Sequence, residues 1–180
     1  MRHSVTYLLH KKGWHGVNID VEPYKVSVFK IARPSDINLC VAVSDKRGTA
    51  DLFYSPESVY GSMEGLDEDT VRDEASGLGR SVEKRVVSTM PLADILLEHK
   101  IAKVDFLTID VEGHEPAILR DFDFNAYPIP LISVEIQGRF DDVCSNETHK
   151  LLVAAGYSTY ARTGPTMFYV REGAMAQPDS

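Results

Sequence analysis

Apolar positions along the chain change period repeatedly, and the changes mark elements. Residues 3–12 carry a helical pattern that Gly13 ends, and "GVNIDV" (16–21) then reads as a strand. "KVSVFKIA" (25–32) returns to helical spacing and stops before Pro34, whose ring disfavours helical backbone in the preceding residue. "INLCVAVS" (37–44) is a strand, and the turn from Asp45 to Gly48 sends it into a shorter one, "TADLFY" (49–54). "RVVST" (85–89) leads to a helix with Pro91 near its first position and Leu92, Ile95 and Leu96 on one face. "VDFLTID" (104–110) and "LISVEI" (131–136) are near-continuous apolar runs of the kind buried on both faces of a parallel sheet. Ser145 is the expected N-cap of a helix through Ala155, with Gly156 at C′. "YSTYAR" and "TMFYVR" close the pattern as strands, and 173–180 read as a flexible tail. Strands alternating with helices predict an α/β fold built on a largely parallel sheet with helices on both faces, one domain over 1–172.

One segment breaks the rhythm. Residues 55–83 hold eight acidic and two basic residues, a net of −6, with little periodicity. Two expectations fit: a solvated insertion, or a mobile lid over a site.

The acids elsewhere are placed more tellingly. Ligands of open parallel sheets bind beyond the carboxyl ends of the strands. Three of the expected strands carry acids there: Asp20 and Glu22, then Asp110, Glu112, His114 and Glu115, and finally Glu135. A carboxylate can accept two ribose hydroxyls at once, which suits an acid at such a strand end to a nucleoside. The 110–115 cluster allows two chemistries: a divalent-cation site, or a general base acting on a hydroxyl. Extended neighbours point to opposite faces, so Asp110 and Glu112 share a side while the turn at Gly113 redirects His114. Glu112 and Glu115 also suit the first turn of the next helix, where negative charge meets the dipole.

Composition narrows the field. A net charge of −8 over 180 residues argues against a general grip on nucleic acid, which needs basic surface. No apolar run reaches the ~18 residues of a membrane span, and the opening residues lack a signal-peptide pattern. Cys40 and Cys144 do not make a disulfide framework, so a cytoplasmic setting is expected. Of the six histidines only His114 has chemically suggestive neighbours.

"VDFLTIDVEGHEPAILRDFDF" followed by "PLISVEI", with "PLADIL" upstream and "SVTYLLHKKGWHGVNIDVEP" before that, resembles the FkbM family of S-adenosylmethionine-dependent methyltransferases. The resemblance covers about residues 3–136. It implies a Rossmann-like methyltransferase fold, S-adenosylmethionine as cofactor, and O-methylation of a sugar or polyketide-type hydroxyl, the acceptor being a small molecule or glycan. By that resemblance Asp20, or alternatively Glu22, binds the ribose, and Ser44 and Asp45 lie near the adenine. Asp110, Glu112 and His114 would line the catalytic edge, which Glu135 closes. Mg²⁺ is compatible with such chemistry, but nothing in the sequence calls for it and no metal ligand is assigned. The family's first strand and glycine-rich turn have no counterpart before Gly13. The expectation is therefore an incomplete chain whose central strand is missing, leaving its neighbours to pair directly or to keep open edges. Two other functions compete: a non-catalytic interaction protein with the same fold, and a metal-dependent hydrolase using Asp110, Glu112 and His114.

Overall fold

A computed structural model describes residues 5–57, 64–136 and 140–173, the side chains of Phe140 and Asp141 excepted. The tail expected over 173–180 lies outside these residues apart from Gly173, as do positions 58–63 of the acidic segment.

The chain opens with a short helix α1 (Tyr7–Lys11), closed by Gly13 at φ 87°, a backbone state that glycine adopts without strain. Strand β1 (Val17–Asp20) pairs in parallel with β2 (Ile37–Cys40). Between them runs α2 (Pro23–Ala32), with Pro23 in its first turn and Glu22 as the capping acceptor for the Tyr24 N–H. The expected strand 37–44 is broken after Cys40. Its last part, β3 (Ala42–Val43), leaves for a second sheet.

That second sheet has the order β3-β6-β4-β5, built from β4 (Gly48–Tyr54), β5 (Glu64–Gly65) and β6 (Glu83–Met90). The acidic segment is more structured than its poor periodicity suggested. It contributes β5 and a helix α3 (Glu68–Gly77), capped by Asp67 and seated on buried Val71 and Ala75.

The third sheet holds the main core. Its order is β7-β8-β10-β9, from β7 (Phe106–Ile109), β8 (Leu131–Glu135), β9 (Tyr157–Thr163) and β10 (Thr166–Arg171). Ile109, Ile132, Val134, Met167 and Tyr169 point from it into a layer of helices. Those helices are α4 (Leu92–Glu98), α5 (Glu115–Leu119) and α6 (Glu147–Ala154), which supply Leu92, Leu96, Ile118, Leu119 and Leu152. Burying each such side chain is worth about 1.5–3 kcal/mol. A 3-10 helix (Phe140–Ser145) precedes α6. The α6 cap is Asn146 rather than Ser145, whose hydroxyl instead donates to the Asp142 carbonyl.

The sheets are mixed, which corrects the expectation of a largely parallel one. β1–β2, β3–β6 and β7–β8 are parallel, whereas β4–β6, β4–β5, β8–β10 and β9–β10 are antiparallel. The reason is local in one case: the two residues between β9 and β10 are too few for a parallel crossover. β8 is covered on both faces, but Thr108 of β7 is exposed, so only one face of β7 is buried. Among the described residues β1 pairs only with β2 and β7 only with β8. Of the two outcomes foreseen for these strands, the described residues show the unpaired edges rather than direct pairing. No helix among the described residues is long and apolar enough to cross a membrane.

Candidate active site

The acid cluster is built by a single turn. Val111 to His114 closes with the His114 N–H on the Val111 carbonyl (3.3 Å), and both central residues are left-handed, Glu112 at φ 51° and Gly113 at φ 92°. Two positive φ values in sequence are the signature of a type I′ turn, which suits glycine at the second position and strains a glutamate at the first. Glu115, the first residue of α5, steadies the turn from below. Its Oε1 accepts the Val111 and Gly113 N–H groups, both at 3.3 Å, and the side chain is buried. Of the clustered residues it is thus the one with a structural task.

β7 ends at Ile109 and Glu112 is held in the left-handed turn, so strand alternation does not govern Asp110 and Glu112, and Glu112 lies outside the first turn of α5, which Glu115 opens. Asp110 faces Glu135 at the end of β8, within hydrogen-bonding reach. Glu112 sits under the acidic segment, where Gly65 packs against it and Thr70 lines the same cavity. This cavity, of about 260 Å³, lies between the turn, the end of β8 and the start of α6. Burial pushes the Glu112 carboxyl up to about 7, helped by the negative charges of Asp110, Glu74 and Glu115 and opposed by Lys25. Burial also raises Glu135, and so does its contact with Asp110. Glu112 and Glu135 therefore hold their protons to higher pH than free carboxyls do.

His114 goes the other way. Its Nε2 lies 2.9 Å from the hydroxyl of buried Ser44, just beyond β3, and Ser44 also reaches Asp45 Oδ1 at 3.1 Å. Burial pulls the His114 pKa down against the pull of Asp45 and Asp67. Asp110, Glu112 and His114 therefore do not converge on one point. Among the described residues no three His, Cys, Asp or Glu side chains are grouped to hold a metal ion. The described residues Asp110, Glu112 and His114 are thus not grouped as a divalent site would require.

The other two sequence candidates meet partners that the sequence did not signal. Asp20 Oδ1 accepts the Glu22 N–H at 2.8 Å, and its Oδ2 lies 3.6 Å from Lys25 Nζ. Lys25 bonds Glu64 at 2.8 Å. Glu22 takes Arg85 Nη2 at 3.0 Å besides the Tyr24 N–H. Buried Glu64, from β5, thus joins the end of β1 to the acidic segment, with its own carboxyl raised by burial against the pull of Lys25. Lys25 is also close enough to act on Glu112, so the acids of β1 and β7 form one electrostatic neighbourhood. Glu64, Lys25 and Arg85 are far from one another in sequence, and no motif announced them. A second hollow, of about 190 Å³, opens at the ends of β1 and β2 beside Arg85, with Val21, Pro23, Cys40 and Val41 in its wall.

With this geometry in hand, comparison with known families gives one result: the model of the methyltransferase FkbM domain matches residues 2–159 of the chain. No curated protein and no solved structure matches.

Proposed function

The chain belongs to the FkbM methyltransferase family, and from that premise we propose that it moves a methyl group from S-adenosylmethionine to a hydroxyl of a small-molecule or glycan acceptor. The observation that supports the reading beyond the family is the placing of Glu22, Asp110, Glu112 and Glu135 at or just beyond the carboxyl ends of β1, β7 and β8, the strand ends where α/β sheets take ligands.

Of the two candidates we favour Glu22 as the ribose ligand, because its neighbours Val21 and Pro23 and its partner Arg85 wall the hollow at β1 and β2. Asp20 accepts the Glu22 N–H and lies beside Lys25. Glu22 accepts two hydrogen bonds and keeps acceptor positions for hydroxyls. The cofactor, when bound, supplies a methyl group already activated on a positive sulfur. The work left to the protein is to align the acceptor oxygen and take its proton. The carboxyls of Asp110, Glu112 and Glu135 favour a cationic ligand, which would draw protons off Glu112 and Glu135 as it arrives. His114, kept neutral by burial, is the base.

Calorimetric titration with S-adenosylmethionine and its neutral-sulfur product S-adenosylhomocysteine tests this. Both should bind. The cationic donor should release more protons near pH 7, read from buffers of different ionisation enthalpy. Glu22→Gln should weaken both ligands at least tenfold, with Asp20→Asn less affected. Absence of binding by either ligand sinks the proposal.

A further inference from the structure

The Ser44 hydroxyl touches two groups, and it has one proton to give. Asp45 Oδ1 is 3.1 Å away and His114 Nε2 is 2.9 Å away. An ionised carboxylate can only accept, so the contact with Asp45 is a hydrogen bond only when the serine proton points at it. The contact with His114 is then a hydrogen bond only when the proton lies on Nε2. The reverse assignment, with serine donating to the imidazole, would set two oxygen lone pairs against each other at 3.1 Å. A neutral imidazole has a single N–H, which leaves Nδ1 as a bare acceptor. Nδ1 makes no hydrogen bond with the described residues. Neutrality follows from the burial of the ring, which outweighs Asp45 and Asp67, the acids acting on it from the end of β3 and the cap of α3.

We propose that Ser44 and Asp45 are positioning residues that hold His114 as its Nε2–H tautomer, so that Nδ1 is the atom that takes the acceptor's proton. The proposal rests on the methyl-transfer reading above. As the carbon–oxygen bond forms and the carbon–sulfur bond breaks, sulfur keeps the electron pair and the hydroxyl proton passes to Nδ1. The imidazolium keeps its Nε2–H bond to Ser44, whose own O–H still donates to Asp45, so the new positive charge meets an aligned dipole and a carboxylate. The proton then leaves Nδ1 for solvent.

The tautomer can be read without cofactor, by long-range proton–nitrogen NMR of the histidine rings, with His114→Gln assigning the resonances. In the unsubstituted chain at a pH above the titration of His114, Nε2 should be pyrrole-like and Nδ1 pyridine-like. In Asp45→Asn the side-chain amide can donate to Ser44, which frees the serine proton to turn to Nε2, so the Nδ1–H form should gain population. In Ser44→Ala the identity of residue 45 should cease to matter. Kinetically, Ser44→Ala should lower kcat about 10- to 100-fold, part of the ~10²–10⁴ a general base contributes, with Ser44→Thr restoring most of the rate. A pyrrole-like Nδ1 in the unsubstituted chain, or tautomer populations indifferent to Asp45→Asn, overturns the proposal whatever the cofactor titration gives. Failure of S-adenosylhomocysteine and S-adenosylmethionine to bind overturns the methyl-transfer reading instead, and with it the catalytic role of Nδ1.

Discussion

Glu112→Gln replaces a titrating carboxyl by a neutral group of the same shape at the same left-handed position, so backbone strain is held constant while the charge is removed. The folded chain raises this carboxyl from 4.5 to about 7, chiefly by burial and then by Asp110, Glu74 and Glu115. A raised acid binds its proton more tightly in the fold than in the unfolded chain. The fold therefore loses stability as pH rises through the window from about 4.5 to about 7. At about 1.36 kcal/mol per pH unit the ceiling is about 3.4 kcal/mol. Glu112 is only partly buried, and solvent screening brings a realistic figure to about 2 kcal/mol. Urea unfolding of both proteins between pH 4 and 8.5, extrapolated linearly to zero denaturant, is the assay. The two should be nearly equal at the acid end, and the glutamine protein should be more stable by about 2 kcal/mol above pH 7. Because Glu112 also repels Glu135, the gain exceeds the single-site figure if Glu135 relaxes with it. A stability difference that stays flat across the range, within about 0.5 kcal/mol, would refute the account of the cluster as a store of protonated carboxyls.

Two other perturbations probe the site's scaffold. Gly113→Ala puts a side chain at φ 92°, where the nearest atom, Thr70 Oγ1 at 3.9 Å, is in ordinary contact, so the cost is conformational. It should destabilise the fold by about 1 kcal/mol or more in thermal or urea melts, and a neutral result would argue against the turn described for Val111–His114. Lys25→Met leaves buried Glu64 without its 2.8 Å partner and should cost about 1–3 kcal/mol, whereas adding Glu64→Gln should recover most of the loss. A double substitution no better than the single one would show that the lysine contributes packing rather than charge.

The sequence by itself determined the elements whose cause is local. Gly13 stopping α1, and Leu92, Ile95 and Leu96 facing inward from α4 follow from backbone preference and periodicity, which act over a few residues. The "IDVEGHE" block likewise placed a turn at Gly113 between a strand and a helix, where the structure has Gly113 at φ 92°. α3 escaped notice because its buried face is only Val71 and Ala75, too narrow a stripe among acids to register as a period.

Tertiary structure alone decided who meets whom. Ser44 and His114 are 70 residues apart, as Lys25 and Glu64 are 39 apart, and a single sequence holds no signal for such pairs. It also decided which of the acids are chemically distinct. Glu112 and Glu115 look interchangeable along the chain. Yet Glu115 accepts two backbone N–H groups of the turn, while Glu112 is half-buried among like charges. Charge state depends on burial and on neighbours within a few ångströms, and those distances exist only once the strands have been brought side by side.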